Sequence, residues 1–380
     1  MYDRQYIWRL EIGLCDMDEL IKRVIDLAID IQQIPAPTFE EKSRAEFVCG
    51  MFIKEGLTEV SVDELGNVFG CRKARGKRKP LIVSAHMDTV FPQEINLDVR
   101  REGEKIYGPG IGDNSLGVAA LIGLNWMLRE RNIHTGGDTW FVANVCEEGL
   151  GDLRGMKAVV DRFGARVQAY LVLEGLALGH VYHRAVGVKR YRITARTSGG
   201  HSWSDYGKPS AVHELSKLVV QLAALDLPRE PRTTMNVGKI SGGTSVNVIA
   251  SEAVLDLDLR SEQQESLASL VSAAESLIHN ANRPNVSVEA EVIGERSPGQ
   301  ISAKHPLVML AKDCLSEQGL DAGLISGSTD ANVPLSRGYP AIVLGVTTGG
   351  GAHTTQEYIN TASVEKGIEQ LVSFVKRAWE

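Results

Sequence analysis

The stretch Thr139-Trp-Phe-Val-Ala-Asn-Val-Cys-Glu-Glu-Gly149 is an apolar run of strand character that ends in two adjacent acids before a glycine turn. Two like charges at the end of a buried strand repel each other and are costly to desolvate. No lysine or arginine lies in register nearby to neutralise them. A bound metal ion is the natural counter-charge, and the rest of the chain is expected to supply its other ligands.

The surrounding pattern is that of an α/β sheet. Leu81–Ala85 and Ala169–Leu173 are short, wholly apolar runs of the kind buried on both faces. Helical stripes alternate with them at Asp16–Gln33, Ser115–Arg131 and Leu153–Phe163, with Ser115 near the cap of its helix. Thr38-Phe-Glu-Glu41 reads as a capping box opening a helix to about Gly56, and Val60–Val62 and Val68–Arg72 as a hairpin around Gly66-Asn67. Beyond Val181 the texture changes. Strands at Val186–Ala195, Thr234–Ile240, Glu252–Arg260 and Val286–Val292, with helices at Ala211–Leu225 and Gln263–Asn280, predict a β-α-β-β-α-β unit with one wet sheet face. From Ser302 the α/β texture returns, with a helix over Leu307–Gln318, strands near Leu324 and at Ala341–Val346, and a last helix at Ser363–Trp379. The expected fold class is therefore α/β, a mixed sheet flanked by helices, carrying an inserted ferredoxin-like α+β lid. The expected division is a discontinuous catalytic domain, 1–183 and 295–380, around a lid at 184–294.

Length and charge agree. A chain of 380 residues suits two domains, and a formal charge of −7 argues against nucleic acid or an anionic membrane as the main partner. The basic run Arg72–Lys79 reads as a solvated turn. Residues 1–15 show no signal-peptide pattern, and no run approaches the roughly 18 apolar residues that span a bilayer. The five cysteines form no CxxC and no even framework, which fits reduced thiols in a cytoplasm; Cys146 reads as a packing residue.

The other polar groups fall into one pattern. His86 closes the strand Leu81–Ala85, with Asp88 two residues on; Asp113 lies in a glycine-rich loop, Gly108-Pro-Gly-Ile-Gly-Asp-Asn114. Glu174 closes a third strand, and His353 sits in Gly349-Gly-Gly-Ala-His-Thr354, beyond the strand ending at Val346. All lie at the carboxyl ends of strands or in the loops beyond, the edge where open α/β sheets bind ligands. His86, Asp113, Glu148, Glu174 and His353 offer two neutral imidazoles and three carboxylates. Two divalent ions would leave that set nearly neutral once a hydroxide is added. Nitrogen and oxygen donors without thiolate suit zinc, with cobalt or manganese as substitutes. Neighbouring strand residues point to opposite sides, so Glu148 is expected to coordinate while Glu147 takes the proton of an attacking water. Asp88 is expected to hold the other ring nitrogen of His86.

The motifs Ser84-Ala-His-Met-Asp-Thr-Val90, Gly112-Asp-Asn114, Glu147-Glu-Gly149, Glu174 and His353 together resemble the co-catalytic zinc exopeptidase and aminoacylase family. Peptidase T, carboxypeptidase G and succinyl-diaminopimelate desuccinylase are members, and the resemblance covers nearly the whole chain. It implies one metal on His86 and Glu174, a second on Glu148 and His353, Asp113 bridging them, a cis Asp113–Asn114 bond, and Glu147 as general base. It also implies a homodimer through the lid. His201, in Ser198-Gly-Gly-His-Ser-Trp-Ser204, matches the lid histidine that steadies the oxyanion in a partner's site, though an exposed loop histidine is the plainer reading. Asn247 and Arg260 resemble lid positions that contact substrate, and Asp330 lies in a loop resembling the substrate-binding loop. A surface salt bridge and a loop-capping aspartate are the plainer alternatives for Arg260 and Asp330. The remaining histidines, 134, 180, 183, 213, 279 and 305, are read as structural or exposed.

The implied activity is hydrolysis of an amide bond in a small peptide or N-acyl amino acid. The wording around Met87 and Glu147–Leu150 looks most like peptidase T, an aminopeptidase, whereas glutamate at 174 is more usual in deacylases, carboxypeptidases and desuccinylases. A catalytically silent binding dimer is the alternative from another class, but such a protein is expected to lack a ligand or the base, and none is missing.

Overall fold

The structure, a computed structural model, describes residues 17–380; the readings of residues 1–15, of Cys15 and of Asp16 lie outside the described residues. Four parallel strands form the centre of the larger sheet, in the spatial order Gly137–Asn144, Arg78–His86, Ala169–Glu174, Ala341–Gly345. The hairpin Thr58–Val62 and Val68–Arg72 adds antiparallel strands on one side, and His180–Ala185 pairs antiparallel on the other. The sheet is mixed, as expected. Its central strands are apolar on both faces because helices cover both. Helices Met17–Gln32, Leu116–Glu130, Pro306–Glu317 and Val364–Arg377 bury one face, and Arg154–Phe163 packs on the other.

After Ala185 the chain leaves this sheet, and it returns at Gly299–Gln300, which pairs with His180–Ala185. Between them, Gly187–Thr197, Thr233–Gly242, Glu252–Ser261 and Val286–Arg296 form a four-stranded antiparallel sheet backed by helices Ala211–Ala223 and Gln264–Asn280. The strand order places the first and third strands of this insert side by side in the centre, the ferredoxin-like arrangement. Leu255, Leu257 and Leu259 face the helices, while Asp256 and Asp258 pair with Arg192 and Arg190 on the open face. The small sheet begins and ends a few residues later than the texture change placed it. Among the described residues no helix is long and apolar enough to cross a membrane.

Two local expectations are corrected. The strand carrying the acid pair ends at Asn144, so Glu147 and Glu148 stand beyond it, after a left-handed Cys146 (φ 58°), and strand alternation does not separate their roles. Thr38 and Glu41 form no capping box: helix Lys42–Lys54 has no side-chain cap. Instead the Thr38 hydroxyl donates to Asp88 Oδ2 at 2.9 Å, and Glu41 Oε1 accepts the Cys146 N–H at 3.0 Å. Ser115 stands at the N-cap of helix Leu116–Glu130, as read, though its side chain makes no capping hydrogen bond.

Gly117 makes room for a strap. The Asn114 amide donates to Leu173 O and accepts from Gly175 N–H, both at 2.8 Å, tying the glycine-rich loop to the strand that ends in Glu174. A Cβ at Gly117 would lie 1.9 Å from Asn114 Oδ1. Gly117→Ala is therefore expected to lower stability by about 1–3 kcal/mol. Gly50→Ala, in helix Lys42–Lys54 with nothing within 4 Å of the new methyl, should raise it by up to about 1 kcal/mol. Thermal melts of the two variants give the comparison.

Candidate metal centre

The carboxyl ends of the four parallel strands share one edge, and the polar groups converge there. His86, the last residue of its strand, is buried, with Nε2 3.1 Å from Asp113 Oδ1 and 3.7 Å from Glu174 Oε2. The other oxygen of Asp113 lies 3.0 Å from His353 Nε2, which is also 3.0 Å from Glu148 Oε1. Two triads result, His86–Asp113–Glu174 and Asp113–Glu148–His353, each with donor atoms within 4.8 Å of one another. Asp113 belongs to both. A third grouping, His86 with Glu147 and Glu148, sets Glu147 beside the cluster. The Asp113–Asn114 peptide is cis.

The charges fit a cation. Burial pushes Glu174 up to about 7, against the hydrogen bond from His86. Burial also raises Glu147 well above the carboxylate range; Arg296 opposes this and Glu148 adds to it. At Asp113 burial is outweighed by hydrogen bonds from His353 and His86, which hold it well below that range. Hydrogen bonds to Asp113 and Glu148 push His353 up to about 10. Burial opposes the charged form of His86, but its bonds to Asp113, Asp88 and Glu174 prevail and raise it. Hydrogen bonds to the carboxylates thus favour positive charge on both imidazoles. Three converging carboxylates with two imidazoles and no thiolate are a donor set that divalent zinc, cobalt or manganese would satisfy.

Asp88 meets the other ring nitrogen of His86 as expected and has a further job. His86 Nδ1 lies 3.1 Å from the backbone oxygen of Asp88 and 3.5 Å from its carboxylate. The carboxylate itself accepts the backbone N–H groups of Glu147 and Glu148, each at 2.9 Å, with the Thr38 hydroxyl as a third donor. One buried acid therefore fixes the loop that presents the acid pair.

A family model, Peptidase family M20/M25/M40, matches residues 82–377. The chain belongs to this family. Carboxypeptidase G2 from Pseudomonas sp. (strain RS-16) is 26% identical over 319 residues, covering 80% of this chain and 74% of that protein. Aminopeptidase PepT from Bacillus cereus superimposes with a TM-score of 0.77 at 23% identity, over 97% of this chain and 100% of that one. YXEP of Bacillus subtilis, described as a dinuclear metal binding peptidase of the M20 family, superimposes with a TM-score of 0.68 at 16% identity, over 94% and 98%. This chain is accordingly an M20 hydrolase with a candidate dinuclear site.

Two groups that hold the acids of this site were invisible in the sequence. Arg296 supplies the cation that seemed missing near the acid pair, with Nη1 3.0 Å from Glu147 Oε1. It lies 149 residues away in the chain. Glu357, fully buried, accepts the N–H groups of Gly110, Gly112 and Asp113 at 2.7–3.1 Å, and so holds the loop that carries Asp113. Burial pushes its carboxyl up to about 7. Its place four residues after His353 was the only signal available.

A cavity of about 340 Å³ opens over the cluster, with Leu176, Tyr182, Ser328 and the guanidinium-bearing Arg190, Arg260 and Arg296 on its walls. Arg260 is thus at the site, paired through Nε with Asp258 Oδ2 at 2.6 Å. Asp330 is not on the wall: it is buried, and its Oδ2 accepts from the Asn144 amide at 2.7 Å while Gly327, Ser328 and Thr329 face the cavity. His201 and Asn247 are both exposed on one tip of the insert, joined where Ser202 N–H meets Asn247 O at 3.0 Å, and neither lines the cavity. Among the other histidines, His305 caps the helix Pro306–Glu317, and none joins a candidate metal grouping among the described residues.

A cation held by His86 and His353 would need both imidazoles neutral, whereas their hydrogen bonds to the neighbouring carboxylates favour the protonated forms. Apparent cation affinity should therefore climb as pH rises. Calorimetric titration with zinc at pH 7.5 in two buffers of different ionisation enthalpy should register net proton release. Zero release would contradict this charge assignment.

Proposed function

We propose that the chain is a two-metal exopeptidase acting on short peptides, with His86, Asp113, Glu148, Glu174 and His353 as ligands and Glu147 as general base. The observation that carries this reading is the pair of triads sharing Asp113, with Glu147 alongside both. Zinc is the proposed metal, with cobalt or manganese as alternatives, on the nitrogen and oxygen donors present. When bound, such ions supply Lewis acidity that polarises an amide carbonyl and acidifies water.

The residues divide the remaining work. Glu147 takes the proton of the attacking water and returns it to the leaving amine; its raised proton affinity suits that transfer. Asp88 keeps Glu147 and Glu148 at fixed spacing through their backbone N–H groups. Arg260 and Arg190 offer cationic donors on the lining of the cavity, and orient a substrate carboxylate. Asp330, off the wall, supports the loop Gly327–Thr329 instead of touching substrate.

A homodimer through the insert is proposed as well. Trp203 and Tyr206 are 86% and 91% exposed on the tip that carries His201 and Asn247. That apolar tip, displaced from its own cavity, suits delivery of His201 into a partner's site. The four described cysteines, all free, accord with the reducing cytoplasm proposed for the protein.

A second reading, an N-acyl amino acid deacylase or carboxypeptidase, is favoured by the glutamate at 174. Hydrolysis of a free-amine tripeptide against its N-acetylated analogue separates the two, since an aminopeptidase rejects the blocked substrate. Glu147→Gln should lower kcat by about 10²–10⁴-fold while both metals stay bound, whereas Glu148→Ala should lose one metal by elemental analysis. Full activity in Glu147→Gln would sink the assignment.

A further inference from the structure

Arg296 ends the strand Val286–Arg296, through which the chain comes back from the insert. Its side chain is 5% exposed and that of Glu147 is 8% exposed. Nη1 donates to Glu147 Oε1 at 3.0 Å and to the Ser328 hydroxyl at 3.1 Å; Nη2 donates to the backbone oxygen of Glu147 at 2.5 Å. The guanidinium therefore grips one residue at both its carboxylate and its main chain. Nε is buried with no hydrogen-bond partner.

The grip has two companions. Arg190, on the strand that leads into the insert, donates from Nη1 to Gly149 O at 2.9 Å. The Glu295 N–H, next to Arg296, donates to Asp152 Oδ1 at 2.8 Å. Both strands that connect the insert to the larger sheet thus hold the segment 147–152. Whatever sets the position of the insert also sets the position of Glu147.

We propose that Arg296 is a positioning residue for hydrolysis, fixing the Glu147 carboxylate beside the metal cluster and tying its placement to the insert. The inference rests on Glu147 as the general base. A glutamate carboxylate turns about three side-chain bonds, and a base must sit within hydrogen-bond reach of the proton it takes. Displacement of about 1 Å costs up to about 100-fold in rate. Lysine keeps the charge but cannot bridge both acceptors of Glu147 as the planar fork does.

The test is steady-state kinetics on the metal-loaded full chain with the free-amine tripeptide, alongside metal content and a melt. Arg296→Lys is expected to lower kcat by about 10–100-fold with KM within about twofold and both metals retained. Arg296→Ala is expected to lose more, and millimolar guanidinium should restore part of its kcat, but none in the Glu147→Gln/Arg296→Ala double variant. Ser328→Ala removes one acceptor of Arg296 without unpairing a buried charge; it should show a smaller kcat loss of the same kind and serves if the arginine variants do not fold. A raised KM at unchanged kcat would make Arg296 a substrate contact and overturn the proposal. Unchanged kcat in Arg296→Lys, or loss of metal in place of kcat, would overturn it too. A fully active Glu147→Gln removes the base reading itself, an outcome distinct from all of these.

Discussion

Negative charge crowded onto one edge of a parallel sheet is the constraint that the surrounding structure answers. Asp88, Asp113, Glu147, Glu148, Glu174, Asp330 and Glu357 all lie at or behind that edge, most of them buried. Buried carboxylates need donors or cations. Each acid outside the ligand set has a separate solution. Asp88 takes two backbone N–H groups and a hydroxyl, Glu357 takes three backbone N–H groups, Asp330 takes the Asn144 amide, and Glu147 takes a guanidinium. Asp113, Glu148 and Glu174 are left facing only two imidazoles, which is where divalent cations fit.

These solutions are also what makes the site precise. Asp88 and Glu357 are acids whose acceptors are spent on the loops that present other acids. Asp88 spaces Glu147 from Glu148, and Glu357 fixes the turn before Asp113. Charge that would repel if left unpaired is converted into hydrogen-bonded supports of the kind that orient metal ligands. The Asn114 strap and the small Gly117 beneath it do the same for the approach of Asp113 to Glu174.

The order of elements was largely legible in the sequence, because short apolar runs and 3.6-residue stripes record burial directly. His86, Glu148, Glu174 and His353 were legible because each stands at or past the end of a central strand, and parallel neighbours bring such ends together; Asp113 instead follows Lys105–Tyr107, a strand of a separate small antiparallel sheet, and was legible only from its glycine-rich loop. Arg296, by contrast, could not be read: its partner lies across a whole inserted sheet, and sequence spacing carries no trace of that return. Thr38 and Glu41 were misread for a related reason. Their spacing satisfies a local capping rule, but tertiary partners, Asp88 and the Cys146 N–H, claimed both side chains. Asp330 lies in the loop singled out, yet its side chain turns inward to Asn144, an orientation that no motif encodes.

The cavity is lined by acids and guanidinium groups together, and that mixture bears on what it accepts. Glu147, Glu148 and Glu174 line it with Arg190 and Arg260, which share Asp258 between them. Two guanidinium groups on a single carboxylate leave an excess of positive charge facing the cavity. A substrate with a free carboxylate gains there whether its amide is peptidic or acyl. The arginines therefore account for recognition of one end of the substrate and are silent about the other. Under the proposed ligation the charge of Glu174 would be committed to a cation, so a free amine entering this cavity would have little carboxylate left to meet it, and desolvating an ammonium without a partner is costly.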